Sequence, residues 1–142
     1  MDPETRKGHF DRAVAYFNAG RFYEAHEDWE ILWLESEDEH RLWLQGLIQY
    51  AAALVHYSRG FHARGFSRLL EQATEKVTGY EGETEGLDWP RLERDLVPWI
   101  EHGKAVTAGA DLVKDAPQAL PKVPMVEGYE PTPLPLEDEE ED

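Results

Sequence analysis

His26, Glu27 and Glu30 read His-Glu-x-x-Glu, one residue short of the His-Glu-x-x-His that a zinc hydrolase carries on a helix. In a metal site built on this pattern, His26 and Glu30, one helical turn apart at i and i+4, supply two ligands. His56 supplies a third, and Glu27 activates a bound water as the catalytic base. The ion implied is a divalent metal such as zinc or manganese. The same side chains also support a bland alternative, a buried and fully paired polar network that fixes the register of packed helices.

Helical geometry sorts these residues. At about 100° per residue with Phe22 at zero, Trp29 and Trp33 fall within about 20°, His26 near 40° and Glu30 near 80°. Glu27 lies near 140° and Glu24 near 200° by the same construction. His26 and Glu30 are therefore expected half-buried beside a tryptophan stripe, with Glu24 pointing to solvent. Farther on, Gln45, Gln49, Ala52 and His56 form one straight polar stripe on an otherwise apolar helix. A buried amide left unpaired costs about 1 to 3 kcal/mol, so the stripe needs partners. Antiparallel packing of the two helices would pair Glu30 with Gln45 or Gln49, and His26 with His56.

The elements that must hold these groups are helices. Phe10, Ala13, Val14 and Phe17 recur at i, i+3, i+4 and i+7 and predict helix 1, closed by Gly20. Helix 2 is expected over 21–35, and helix 3 from a capping box at Ser36 and Glu39 to a stop at Gly60. Helix 3 is apolar nearly all round between Leu42 and Tyr57, as befits a central helix. Helix 4, over 61–80, buries His62, Phe66, Leu69, Leu70, Ala73, Val77 and Tyr80 and turns Arg64, Arg68, Glu71 and Glu75 to water. The Gly- and acid-rich run 79–86 predicts a loop. Asp88 and Pro90 start helix 5, which Pro98 should kink or break. His62 reads as a packing residue, the tryptophans as core, and Trp43 as a possible contact anchor. His9, His40 and His102 have no evident partner.

Segments starting at Tyr16 and His56 repeat at an offset of forty residues, aligning Gly20 with Gly60, Ala25 with Gly65 and Trp29 with Leu69. Two related helix hairpins account for this echo. The Gly20, Phe22, Glu24, Ala25 turn resembles that of the tetratricopeptide hairpin. The expected fold is all-α: a compact bundle of about five helices, two related hairpins plus a Pro-broken fifth helix. Residues 1–115 make the bundle, and 116–142 an extended Pro-rich acidic arm, partly disordered. Six of the nine prolines lie in that arm, and the final Glu-Asp-Glu-Glu-Glu-Asp run is expected without fixed structure.

Composition bounds the function. The chain of 142 residues has no cysteine and a formal net charge of −16. Eight acids and no base lie between Glu127 and Asp142, which leaves −8 for the rest. Such a field repels phosphate backbones, so nucleic acid is not an expected partner. Neither a secretion signal nor a membrane span is evident, and a cytoplasmic location is expected.

The run Tyr16 to Trp33, followed by Trp43 to Gly60, resembles the bacterial and archaeal family called domain of unknown function 309. The resemblance rests on Phe17, Asn18, Gly20, Phe22, Glu24, Ala25, His26, Glu27, Trp29, Glu30 and Trp33, then Gly46, Leu47, Ile48, Gln49 and His56. It covers about Phe10 to Ala73 and implies a small all-helical protein with no established activity. Taken together, the residues favour a non-enzymatic scaffold that forms a homo-oligomer or binds a protein partner. The alternative is a metal-binding protein or metal-dependent hydrolase.

Overall fold

A computed structural model describes residues 1–78 and 85–137. Five helices follow in order: α1 Pro3–Asn18, α2 Phe22–Leu34, α3 Asp38–Arg59, α4 Ala63–Val77 and α5 Trp89–Thr107. The expected all-α bundle is thus observed. Each helix packs chiefly on its neighbours in sequence. Within this stack α3 touches all four others, because its aromatic side chains reach past the adjacent helices. Trp43 meets Phe10 of α1 and Trp89 of α5, at ring separations of 5.9 and 5.8 Å. Tyr50 meets Phe17 at 5.0 Å, and Tyr57 meets Trp99 at 4.9 Å.

The turn glycines behave as the repeat predicts. Gly20 and Gly60 take φ of 82° and 72°, a left-handed conformation that closes a helix at little cost only for glycine. At Gly46 the backbones of α3 and α4 come close, since a Cβ there would stand 2.7 Å from Val77 Cγ1. Trp29, Trp43, Trp89 and Trp99 are all buried, and Trp43 is a core residue rather than a contact anchor.

Three local expectations change. Ser36 does not cap α3: its hydroxyl donates to the Leu32 carbonyl at 2.6 Å and accepts from Arg6 Nη2 at 3.0 Å, so it closes α2. Its neighbour Glu37 is the cap residue and makes no side-chain cap bond. The fifth helix is not broken, because α5 runs through Pro98 to Thr107. Trp99, Leu96 and Leu92 are buried on both sides of the proline, and their packing holds the helix where one backbone donor is missing. His62 is exposed, not in the core; it occupies the N-cap position of α4 with φ of 61°. Of the predicted helix 4, Tyr80 lies outside the described residues, as do 79–84 of the loop and 138–142 of the acidic run.

Beyond α5 the chain forms no further helix among the described residues and lies against α1. Val123 exchanges hydrogen bonds with the Asn18 side chain, its N–H donating at 2.7 Å and its carbonyl accepting at 3.3 Å. The arm then descends to Asp11 and Lys7, where Thr132 N–H donates to Asp11 Oδ2 at 2.7 Å. Leu134 N–H donates to the Gly8 carbonyl at 3.1 Å, and Glu137 N–H returns to the Tyr16 hydroxyl at 2.9 Å. Prolines 131, 133 and 135 alternate with these residues and have no N–H to satisfy. The arm therefore docks with both of the donors between its prolines bonded.

Candidate functional site

Helix α2 buries Phe22, Ala25, Asp28, Trp29 and Leu32. On the helical wheel these residues occupy an arc from about 240° round to 360°. That arc is centred well away from the His26 and Glu30 edge, because α1 covers the side on which Asp28 stands. Glu30 and Glu27 are consequently open, with side chains 49% and 55% exposed, while Glu24 is less so at 39%. The expected order of Glu24 and Glu30 is reversed. Glu24 lies 3.7 Å from Arg21 Nη2.

His26 is half-buried, as expected. Its ring stacks on Tyr23 at 6.3 Å, and its Nδ1 lies 3.7 Å from Glu30 Oε2 and 4.0 Å from Glu27 Oε1. These separations exceed hydrogen-bond reach, and Nδ1 is shielded from solvent without a hydrogen-bond partner. His26 therefore forms no closed pair with either carboxylate. The nearby Glu27 carboxylate raises the phenol pKa of Tyr23.

The polar stripe on α3 turns to α4 instead of α2. Gln49 Nε2 donates to Gln72 Oε1 at 3.1 Å, and Lys76 Nζ donates to Gln49 Oε1 at 2.8 Å. Gln45 is half-buried on the same stripe. His56 meets His62 and Phe61, at ring separations of 5.2 and 6.4 Å. It fits there because residue 65 is glycine: a Cβ at Gly65 would stand 3.2 Å from His56 Nε2. Burial, then the neighbouring His62 and Arg59, lower the pKa of His56. The expected pairing of Glu30 with Gln45 or Gln49, and of His26 with His56, is thus replaced by two separate arrangements.

A three-ligand centre needs donor atoms converging about 2 Å from one point. Among the described residues no group of three or more His, Asp or Glu is placed to hold a metal ion. His26 and Glu30 share one edge, Glu27 stands beside them, and His56 belongs to the α3–α4 seam.

Two buried carboxylates escaped the sequence reading. Asp28 receives Arg12 Nε at 2.7 Å and Nη2 at 2.8 Å, with His9 Nδ1 at 3.1 Å. Asp11 receives Lys7 Nζ at 2.7 Å, Thr132 N–H, and the Tyr129 hydroxyl, whose pKa burial and Asp11 push up. The position of Asp28 between Ala25 and Leu32 was the available signal, since a charge flanked by core residues on one helix face must be paired. His9 and His102 also gain partners: His102 Nε2 bonds the Leu112 carbonyl at 2.8 Å. His40 lies beside the Trp43 ring at 5.7 Å.

What remains open on the surface is apolar as well as charged. Leu34 is 67% exposed and Leu42 54%, with Tyr23 and Ile31 also open on α2. Tyr23, Glu27, Glu30 and Leu34 run i, i+4, i+7 and i+11, a straight ridge. No helix of the described residues is long and apolar enough to cross a membrane. No curated protein matches the chain. Residues 10–69, from α1 into α4, match the model of the family described as domain of unknown function (DUF309), which bears out the resemblance carried by the hallmark residues.

Proposed function

We propose that this chain is a non-enzymatic scaffold, a stack of helical hairpins that self-associates and offers the exposed corner of α2 and α3 to a protein partner. The observation that carries this reading is the open apolar set Ile31, Leu34 and Leu42, large side chains that a solitary stack leaves in water. The polar groups support it as well. Gln49, Gln72 and Lys76 pair with one another across the α3–α4 seam and so serve packing. Sedimentation equilibrium over a wide concentration range tests self-association, with a mass above one chain as the expected result. A chain that stays monomeric throughout, and whose binding of a hydrophobic dye is unchanged by Leu34→Ser with Leu42→Ser, would defeat the scaffold reading.

A second reading places a divalent metal such as zinc or manganese at His26 and Glu30, with Glu27 as base. It is favoured by one observation, the shielded and unbonded Nδ1 of His26 within 4.0 Å of two carboxylates. Calorimetric titration of untagged protein with zinc or manganese chloride decides it. Absence of binding heat, together with an unchanged melting temperature, removes the metal.

A further inference from the structure

We propose that the outward face of α4 is the surface of self-association, and that its partner is a second copy of this chain lying antiparallel across it. The proposal rests on the scaffold reading above and names the surface that reading leaves open. Arg64, Arg68, Glu71 and Glu75 stand at i, i+4, i+7 and i+11, and all four are exposed. They fall within about 60° of one another around the helix, a single straight row.

Within one molecule only the middle of this row, Arg68 and Glu71 at i and i+3, has a favourable charge spacing. Arg64 sits one turn from Arg68 and Glu71 one turn from Glu75, so like charges adjoin twice, the reverse of the spacing that stabilises a solvated helix. Arg64 also lies at the positive end of the helix dipole and Glu75 at its negative end, beside Lys76. No acid stands in the first turn of α4 to offset this. Among the described residues none of the four has an ion-pair or hydrogen-bond partner.

An antiparallel second copy gives each of these charges an opposite one. Arg64 then faces Glu75 of the second copy and, in the same register, Arg68 faces Glu71. Two-fold symmetry repeats both pairs, giving four contacts from one alignment, as a self-complementary interface requires. The two helix dipoles also oppose each other.

The space for such a partner exists. Between α4 and α5 lies a cavity of about 960 Å³, with all four charges on its wall and Leu70, Ile100 and Gly103 beneath. Ser67 Oγ and Thr107 Oγ1 both donate to the Gly103 carbonyl, at 3.1 and 3.0 Å, so that acceptor of the floor is already used. A charged rim over an apolar floor is the composition expected of a protein interface.

Charge reversal tests the alignment. In Arg64→Glu with Arg68→Glu the row is wholly acidic; in Glu71→Arg with Glu75→Arg it is wholly basic. Each variant alone should associate about tenfold or more weakly than the wild type at low salt, as the loss of four exposed pairs implies. An equimolar mixture of the two should form a mixed dimer in sedimentation velocity, and far-ultraviolet circular dichroism should show both variants folded. Variants that associate as tightly as the wild type, or a mixture no tighter than either variant alone, would overturn the proposal. Association that persists in both variants leaves the scaffold reading standing and rejects only this surface, whereas a wild type that is always monomeric rejects this surface and, if dye binding is also unchanged by Leu34→Ser with Leu42→Ser, the scaffold reading with it.

Discussion

Arg12 grips Asp28 with two nitrogens, Nε at 2.7 Å and Nη2 at 2.8 Å, and so ties α1 to α2 across a boundary otherwise made of rings and aliphatic chains. Asp28 is buried, and His9 adds a third contact. Asp28→Ala leaves the Arg12 charge without its partner and should cost about 3 kcal/mol in urea unfolding, the range found when half of a buried pair is removed. A midpoint equal to that of the wild type would show that water replaces the carboxylate.

Gly8 lies under Leu134, and a Cβ at that position would stand 2.9 Å from Leu134 Cγ. Gly8→Ala should therefore lift the arm while favouring helix α1 itself. Hydrogen exchange separates the two effects: the Thr132 and Leu134 amides should exchange faster, and the α1 amides should not.

Tyr50 is buried with its hydroxyl unbonded, and burial raises its pKa well above the usual phenol value. The ring packs while the oxygen is desolvated without return. Tyr50→Phe should raise stability by about 1 kcal/mol, read as a higher melting temperature.

His56 binds a proton less readily in the folded chain than imidazole does in water, because burial, His62 and Arg59 all oppose its charge. Unfolding restores ordinary affinity, so as pH falls through about 6.5 the unfolded chain takes up the proton first. Stability is therefore full above that pH and declines as pH drops toward the lowered folded pKa. His56→Gln should flatten this decline in urea midpoints measured from about pH 7 to 5.

Periodicity sufficed wherever one face meets one core. Phe10, Ala13, Val14 and Phe17, spaced as a helix face, are all buried, and Gly20 and Gly60 end their helices as the repeat implies. Neighbour choice is a different matter. The spacing of Gln45, Gln49 and His56 marks a polar stripe but carries no information about whether α2 or α4 covers it, and Gln72 and Lys76 decided for α4. Glu30 is open instead of half-buried because Asp28, a charge, extends the buried arc of α2 in the direction a hydrophobic pattern disregards. Proline density implies an extended arm but not its dock on α1, since Asp11, Gly8 and Asn18 signal nothing until they meet residues more than a hundred positions away.

That separation divides the molecule in time. Contacts among α1 to α5 join mainly consecutive helices, the low-contact-order pattern that forms quickly and locally. The strap's bonds, such as Thr132 to Asp11, span 121 residues. During synthesis the first helices can assemble before the last residues exist, leaving the α1 surface bare until the strap arrives. Until that moment Gly8, Asp11 and Tyr16 are a vacant berth, which the tether then reserves for the chain's own strap by its high effective concentration.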